Sequence, residues 1–255
     1  MRQTDKSNQT AASVAKNISY FRDHLQSYGN YIQNMDTHKK IRSRINASLN
    51  GIDRLCDIGN GGVFNYDAGR VKKIVALDLF FDDLPASFSY PDNVTLERGD
   101  VLKIPFPDKS FDGVLMSMLI HHLVGGTVTE SLGNARKAID EAFRVLTFGG
   151  KLIIVESCIP SWFFFVEKIV FPVASRIINR LLEHPTTLQY PSLLLSQMVK
   201  DTFHNVEVSS IPVGKSVLQL GVKFPSAFTP VTLYIIVAKK QKKISMVCKA
   251  NDEAP

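Results

Sequence analysis

The stretch LCDIGNGG, Leu55 to Gly62, decides how this chain is read. A short apolar run ends in an acid and then a glycine-rich turn, the pattern of a buried strand that delivers its chain to a binding edge. In an open α/β sheet, ligands bind at the carboxyl ends of the strands. Glycine lets the backbone come closer to a ligand than any side chain would allow. Moving outward, the next apolar run ends in IVALD and places Asp78 at its tip, nineteen residues after Gly59 (78 − 59), which is room for one helix and one strand. A carboxylate there can accept from both hydroxyls of a ribose. The third run ends in ERGDV and brings Asp100 to the same edge. Asp57, Asp78 and Asp100 thus stand at the ends of three consecutive strands. An acid two residues before the first glycine disfavours a pyrophosphate and suits a cationic or amine-bearing ligand. Alone, each acid reads as a helix cap or turn residue; together at one edge they read as a site.

Around this centre, short apolar runs alternate with helical stretches. The runs are Arg54–Ile58, Ile74–Leu79, Val94–Glu97, Gly113–Met118, Lys151–Glu156, Val206–Ile211 and Leu233–Ala238. Asn134–Leu146 is helical, with Ala138, Ala142, Val145 and Leu146 on one face and Gly149-Gly150 beyond it. Such alternation predicts an α/β fold, a Rossmann-like doubly wound, seven-stranded, mostly parallel sheet with helices on both faces. Between the last two runs lie prolines and glycines and no long helix. Those two strands must pair antiparallel, because parallel neighbours need a crossover. Before Gly51, Ile18, Phe21, Leu25 and Tyr28, and then Ile41, Ile45 and Leu49, recur at helical spacing. Residues 1–50 are therefore expected to form a helical cap, 51–240 the binding domain and 241–255 a flexible tail. Within the domain, residues 158–200 form an insertion after the fifth strand.

Composition narrows the class. Of 255 residues, 45% are hydrophobic and 21% charged, which excludes general disorder. Cys56, Cys158 and Cys248 are too far apart for a disulfide framework or a CxxC clamp, so no metal site is expected and a reducing, cytoplasmic setting is. The net charge of +6 is modest, and the cluster Lys239, Lys240, Lys242 and Lys243 reads as a solvated strand end. The polar start lacks a signal core. The apolar region over 158–182 is interrupted by Glu167, Lys168, Pro160 and Pro172, too early for a spanning helix, though peripheral membrane contact stays open. Trp162, Phe163, Phe164 and Phe165 cannot all face one core from one helix. Some must face a lid, a partner or an apolar substrate.

These blocks, in order, resemble the class I S-adenosylmethionine-dependent methyltransferases, specifically a small-molecule, type-11-like subgroup. That subgroup carries D-x-G-x-G after strand one, an acid after strand two, G-D after strand three and F-D before strand four. Here they are Asp57–Gly61, Asp78, Gly99-Asp100 and Phe111-Asp112, followed by His121–Leu123 and by EAFRVLTFGGKL, Glu141–Leu152. The resemblance covers about residues 50–157 and the closing strands. It implies S-adenosylmethionine as cofactor. Asp57, Gly59, Asn60 and Gly61 would lie at its methionine part, Asp78 and Leu79 at the ribose, Gly99, Asp100 and Val101 at the adenine, and Met116 and Ser117, with Met118 beyond them, beside the methyl. Two positions depart from the family: a third glycine is replaced by Val63, with Gly62 beside it, and the usual proline before Gly149 is Phe148.

For the reaction, His121 or His122 after strand four could act as base, being tuned near neutral pH; the pair could equally open the next helix. Glu156 ends strand five, where it could face substrate or pair locally. His184 and Tyr190 in the insertion could reach the acceptor or simply cap the surface. The expected activity is methyl transfer to an O or N atom of a small, partly apolar acceptor, with 158–200 as a lid and the cap tyrosines Tyr20, Tyr28 and Tyr31 on the other side. Two alternatives remain: a cofactor-binding but catalytically silent protein, and a nucleic-acid methyltransferase, the latter disfavoured by SMLI (Ser117–Ile120) where an N-P-P-Y would stand. A nicotinamide oxidoreductase would need glycine at Phe64 and a Y-x-x-x-K that the chain lacks. Oligomeric state is not legible.

Overall fold

The computed structural model describes residues 36–79, 81, 89–181, 187–212, 216–217, 223–224 and 231–242. The paired expectations for Tyr20, Tyr28, Tyr31 and His184 fall outside them. The strands are β1 (Arg54–Ile58), β2 (Lys73–Asp78), β3 (Val94–Arg98), β4 (Phe111–Ser117), β5 (Leu146–Cys158), β6 (His204–Ile211), the short pair β7 (Ser216–Val217) and β8 (Lys223–Phe224), and β9 (Thr232–Lys239). The helices are α1 (Asp36–Ser48), α2 (Val128–Val145), α3 (Ser161–Leu181) and α4 (Ser192–Thr202).

Seven strands form one sheet in the order β3-β2-β1-β4-β5-β9-β6. The first five pair in parallel, whereas β9 slots between β5 and β6 and runs antiparallel to both. This is the expected doubly wound sheet with its antiparallel last strand. The strand order reverses between β1 and β4, which places the ligand edge at the tips of β1, β2 and β4.

Period-two alternation sorts the core into two layers. Cys56, Ile58, Leu77, Val114, Met116, Leu152 and Ile154 face α2 and α4, including Ala135, Ala138, Ala142, Val145 and Met198. Leu55, Ile74, Ala76, Leu115, Ile153 and Val155 face the other way, onto Ile41, Ile45 and Leu49 of α1. The apolar rows seen at helical spacing in α1 and α2 are thus the rows that are buried.

Helix α2 starts at Val128, six residues earlier than its apolar row suggests. The reason is capping chemistry: Thr127 Oγ1 accepts from Glu130 N, and Glu130 Oε2 accepts from Gly126 N. At its other end Lys240 departs from the solvated role expected of its cluster. Lys240 is 4% exposed, and its Nζ donates to the carbonyls of Phe143 and Leu146 at 2.5 and 2.7 Å. A cation there meets the carbonyl end of the helix dipole, and burial pushes its pKa down.

Candidate functional site

The tips of β1, β2 and β3 lie side by side, with Asp78 paired in register to Arg98 and Ile58 to Leu77. Asp57, Asp78 and Asp100 are therefore brought to one edge. After β1 the chain turns sharply, with Gly59, Gly61 and Gly62 at φ of +67°, +62° and +76°. Gly62 takes a left-handed conformation directly before Val63, so the missing third glycine is offset by its neighbour. At Gly59 a Cβ would stand 2.5 Å from Leu119 Cδ1, so any side chain would have to displace that leucine as well as adopt a positive φ. At Gly61 a Cβ would meet nothing within 4 Å, which leaves open space over the turn.

Asp57 is buried. Its Oδ2 accepts from Tyr66 Oη at 2.7 Å and from Asn60 Nδ2. Burial pushes its carboxyl up to about 7 despite those two bonds, with the Asp78 charge adding to the rise. Asn60 Oδ1 is buried and meets no hydrogen-bond partner among the described residues. An acid held half-ionised near neutrality, an orphan acceptor beside it and open space over Gly61 form a cradle for a cationic donor such as an ammonium. Tyr66 was not visible as a site residue from spacing alone; it lies nine positions downstream of its partner, in a turn that also carries Val63 and Phe64.

Asp78 is half-buried. Its Oδ2 accepts from Gly61 N at 3.0 Å and its Oδ1 from Leu79 N at 2.7 Å, so one carboxylate ties the β1 turn to the β2 tip. Gly99 N continues this edge by donating to the Asp78 carbonyl at 3.0 Å, and a Cβ on Gly99 would collide with Leu77 and Pro105. Asp100 is exposed and caps its own turn through Leu102 N, with Val101 buried behind it.

At the β4 tip Met116 is wholly inside the core, Ser117 is half-buried and Met118 sits at φ +55°. A left-handed methionine is strained, and strain of this kind collects at functional sites. The following 3-10 turn, Ile120–His122, carries the two histidines. His121 Nδ1 lies 2.6 Å from Glu156 Oε1, with both side chains buried. Glu156 also accepts from Ile120 N at 2.9 Å, His121 N at 3.4 Å and Ser157 N at 2.8 Å. The pair is thus closed on itself and clamps the β4 turn to the β5 tip. His122 is half-buried, its ring 4.1 Å from that of His121. Tyr190 is fully buried, its hydroxyl donating to the Ser131 carbonyl at 3.2 Å.

Two motif residues prove architectural. Asp112 caps the start of β1 through Asp53 N and Arg54 N, at the opposite end of the sheet. Arg144 grips Glu141 with both arms and reaches the Ile104 and Phe106 carbonyls, fastening the loop before β4.

In α3 the aromatic run divides as helical geometry requires. Phe163, Phe164, Glu167 and Phe171 turn inward, while Trp162, Phe165, Val166, Ile169 and Val170 are exposed. No described helix is long and apolar enough to cross a membrane, and no group of three metal-ligating side chains occurs among the described residues.

The sheet order, the glycine turn and the acids at three adjacent tips are those of the class I S-adenosylmethionine-dependent methyltransferase fold. Residues 56–154 match the family described as "Methyltransferase domain". Among named relatives, the demethylmenaquinone methyltransferase of Symbiobacterium thermophilum is 29% identical over 119 residues, which is 42% of this chain and 44% of that protein. The protein of the same name from a Staphylococcus aureus strain is 25% identical over 233 residues, 82% of this chain and 91% of its own length. This chain therefore spans less than half of the first relative and nearly all of the second. The fold is shared with human N-acetylserotonin methyltransferase, solved in complex with S-adenosylmethionine, at a TM-score of 0.56 and 14% identity over 88% of this chain and 57% of that one.

Proposed function

We propose that this protein transfers a methyl group from S-adenosylmethionine to a small, largely apolar acceptor through an O or N atom, with hydroxylated rings of the quinone type the first class to try. The observation that carries the reading is the Asp57–Asn60–Gly61 cradle, built for an ammonium and next to the acid at the β2 tip. The relatives' shared name supports an apolar acceptor. Val63 left a catalytically silent binder as the alternative; the left-handed Gly62 beside it speaks for an intact turn.

When bound, the cofactor supplies an electrophilic sulfonium methyl, so the protein's main task is alignment of the acceptor at about 3–3.5 Å in line. In this reading Asp57 and Asn60 hold the ammonium, Asp78 with Leu79 the ribose, Gly99, Asp100 and Val101 the adenine, and Ser117 and Met118 flank the methyl. His121 and Glu156 position the β4 turn and leave His122 as the histidine nearer the reaction space. In this reading α3 acts as the lid over a water-poor site, while α1 and α4 support the sheet from its two faces.

The test is calorimetric titration with S-adenosylhomocysteine across pH. Asp57's folded value of about 7 lies above its ordinary 3.8. The ligand-free fold therefore holds an extra proton between those values, and this group's contribution to stability falls as pH rises through that window. An ammonium beside Asp57 favours the carboxylate, so binding below pH 7 expels the proton. Affinity should rise from pH 5 to 7 by up to about tenfold per unit and level off above. Asp57→Asn should flatten the profile. No binding at any pH would discard the reading, and a flat wild-type profile would remove Asp57 from the ammonium site.

The acceptor class also gives the outer face of α3 a use: contact with an anionic lipid surface from which an apolar acceptor is drawn. Trp162, Phe165 and Ile169 are each about two-thirds exposed, Lys168 stands on the same helix and the chain is net positive. Trp162 is the only tryptophan, so its emission reports directly. It should shift to the blue on anionic vesicles and not on zwitterionic ones. Phe165→Asp together with Ile169→Asp should lower vesicle affinity at least about tenfold, since each apolar side chain loses about 1.5–3 kcal/mol of burial. Equal affinity for both vesicle types, or none, would refute the contact.

A further inference from the structure

The inward face of α3 carries one residue that packing does not explain. Phe163, Phe164 and Phe171 cover the core, and Glu167 sits among them at the same helical spacing. A carboxylate in such a row is costly unless it is fully hydrogen-bonded. Glu167 is not: it accepts from the Gln189 backbone N–H, while Oε2 is buried and meets no partner among the described residues. A leucine would complete the stripe and remove the cost.

Its surroundings point toward the β4 and β5 tips. Gln189 Nε2 donates to Ser157 Oγ at 3.3 Å, and Ser157 Oγ donates to Glu156 Oε1 at 3.3 Å. Glu156 in turn holds the Ile120–His122 turn. Met118 N donates to the Val155 carbonyl at 2.8 Å, which ties the strained methionine to the same strand end. One polar chain therefore runs from Glu167 on α3 to the turn beside the glycine loop, with Phe163 and Phe164 on the same inward face of that helix and the Phe164 ring 6.2 Å from that of Tyr190. The unsatisfied oxygen is an acceptor, so its ligand must bring a donor. The aromatic side chains on this helix face require that the donor be carried on an apolar ring.

We propose that Glu167 is the specificity residue of the acceptor site, its carboxylate accepting a hydrogen bond from a hydroxyl on an otherwise apolar aromatic ring. This rests on the methyl-transfer reading above. Burial pushes the Glu167 carboxyl up to about 7, so it is charged at pH 8. A site built to bond a hydroxyl rejects the analogue without one, because a buried polar group is then left unpaired.

The test uses the full chain at pH 8 with S-adenosylhomocysteine present, and 2-naphthol and naphthalene as a matched pair with and without the hydroxyl. Calorimetry should show wild type binding 2-naphthol at least about tenfold more tightly than naphthalene. Glu167→Leu should abolish that preference by weakening 2-naphthol while naphthalene binds equally or better. Its thermal midpoint should equal or exceed that of wild type, which a purely structural glutamate would not allow. Glu167→Gln keeps the shape without the charge and should lose most of the preference, which serves if the leucine variant misfolds. A wild type without preference, or a preference that survives in both variants, overturns the assignment. If S-adenosylhomocysteine itself fails to bind, it is the methyl-transfer reading that fails, and this inference with it; if it binds and the naphthol arm fails, that reading stands.

Discussion

Asp78→Ala should weaken S-adenosylhomocysteine binding by about two to four orders of magnitude. The carboxylate is expected to take hydrogen bonds from both ribose hydroxyls, and a bond to a charged group contributes about 1.5–3 kcal/mol. The structure adds a second source of loss. Asp78 also accepts from Gly61 N and Leu79 N, so alanine would free the glycine turn that must be ordered before the ligand binds. Asp78→Asn keeps one acceptor oxygen and the side chain's shape, and should fall between the two. Melting curves would confirm that both variants fold. A dissociation constant for Asp78→Ala within threefold of wild type would remove the ribose assignment.

Glu156→Ala should cost stability before it costs chemistry. The side chain is 1% exposed and serves His121 Nδ1 together with the backbone N–H groups of Ile120, His121 and Ser157. Alanine strands five donors, Ser157 Oγ among them, and leaving one side of such a buried hydrogen-bonded cluster unsatisfied costs about 3–5 kcal/mol. For a chain of this size that lowers the melting midpoint by roughly 10 °C. Glu156→Gln retains one acceptor and should recover part of the loss. The competing view makes Glu156 or His121 the reactive group, and under it Glu156→Ala would melt at the wild-type temperature while losing turnover. That result would return both residues to the acceptor site.

Much of the architecture was legible because its signals are local. Short apolar runs marked every strand of the large sheet, and period-3.6 rows marked α1 and α2. A helix-free stretch between the last two runs implied the antiparallel end. The glycine turn and the acids at Asp57, Asp78 and Asp100 were legible for the same reason, since the end of a strand is readable from the run that precedes it. Helix α2 was read six residues short because its start is set by Thr127 and Glu130, whose caps carry no apolar periodicity.

Spacing along the chain determined the fold class and the strand edge where the acids meet, while the cofactor followed only from the family that the ordered motifs resemble. The partners were decided only by tertiary structure. His121 and Glu156, thirty-five positions apart, were each visible as candidates, but nothing local told that they would close on one another. Lys240 looked like one of several solvated lysines until the end of α2 was laid beneath it. Glu167 appeared only as an interruption in a greasy segment, and its buried, unpartnered oxygen became visible only once α3 was folded against Gln189. Periodicity depends on neighbours in the chain, whereas burial of a charge depends on which strand and helix ends the sheet order brings together.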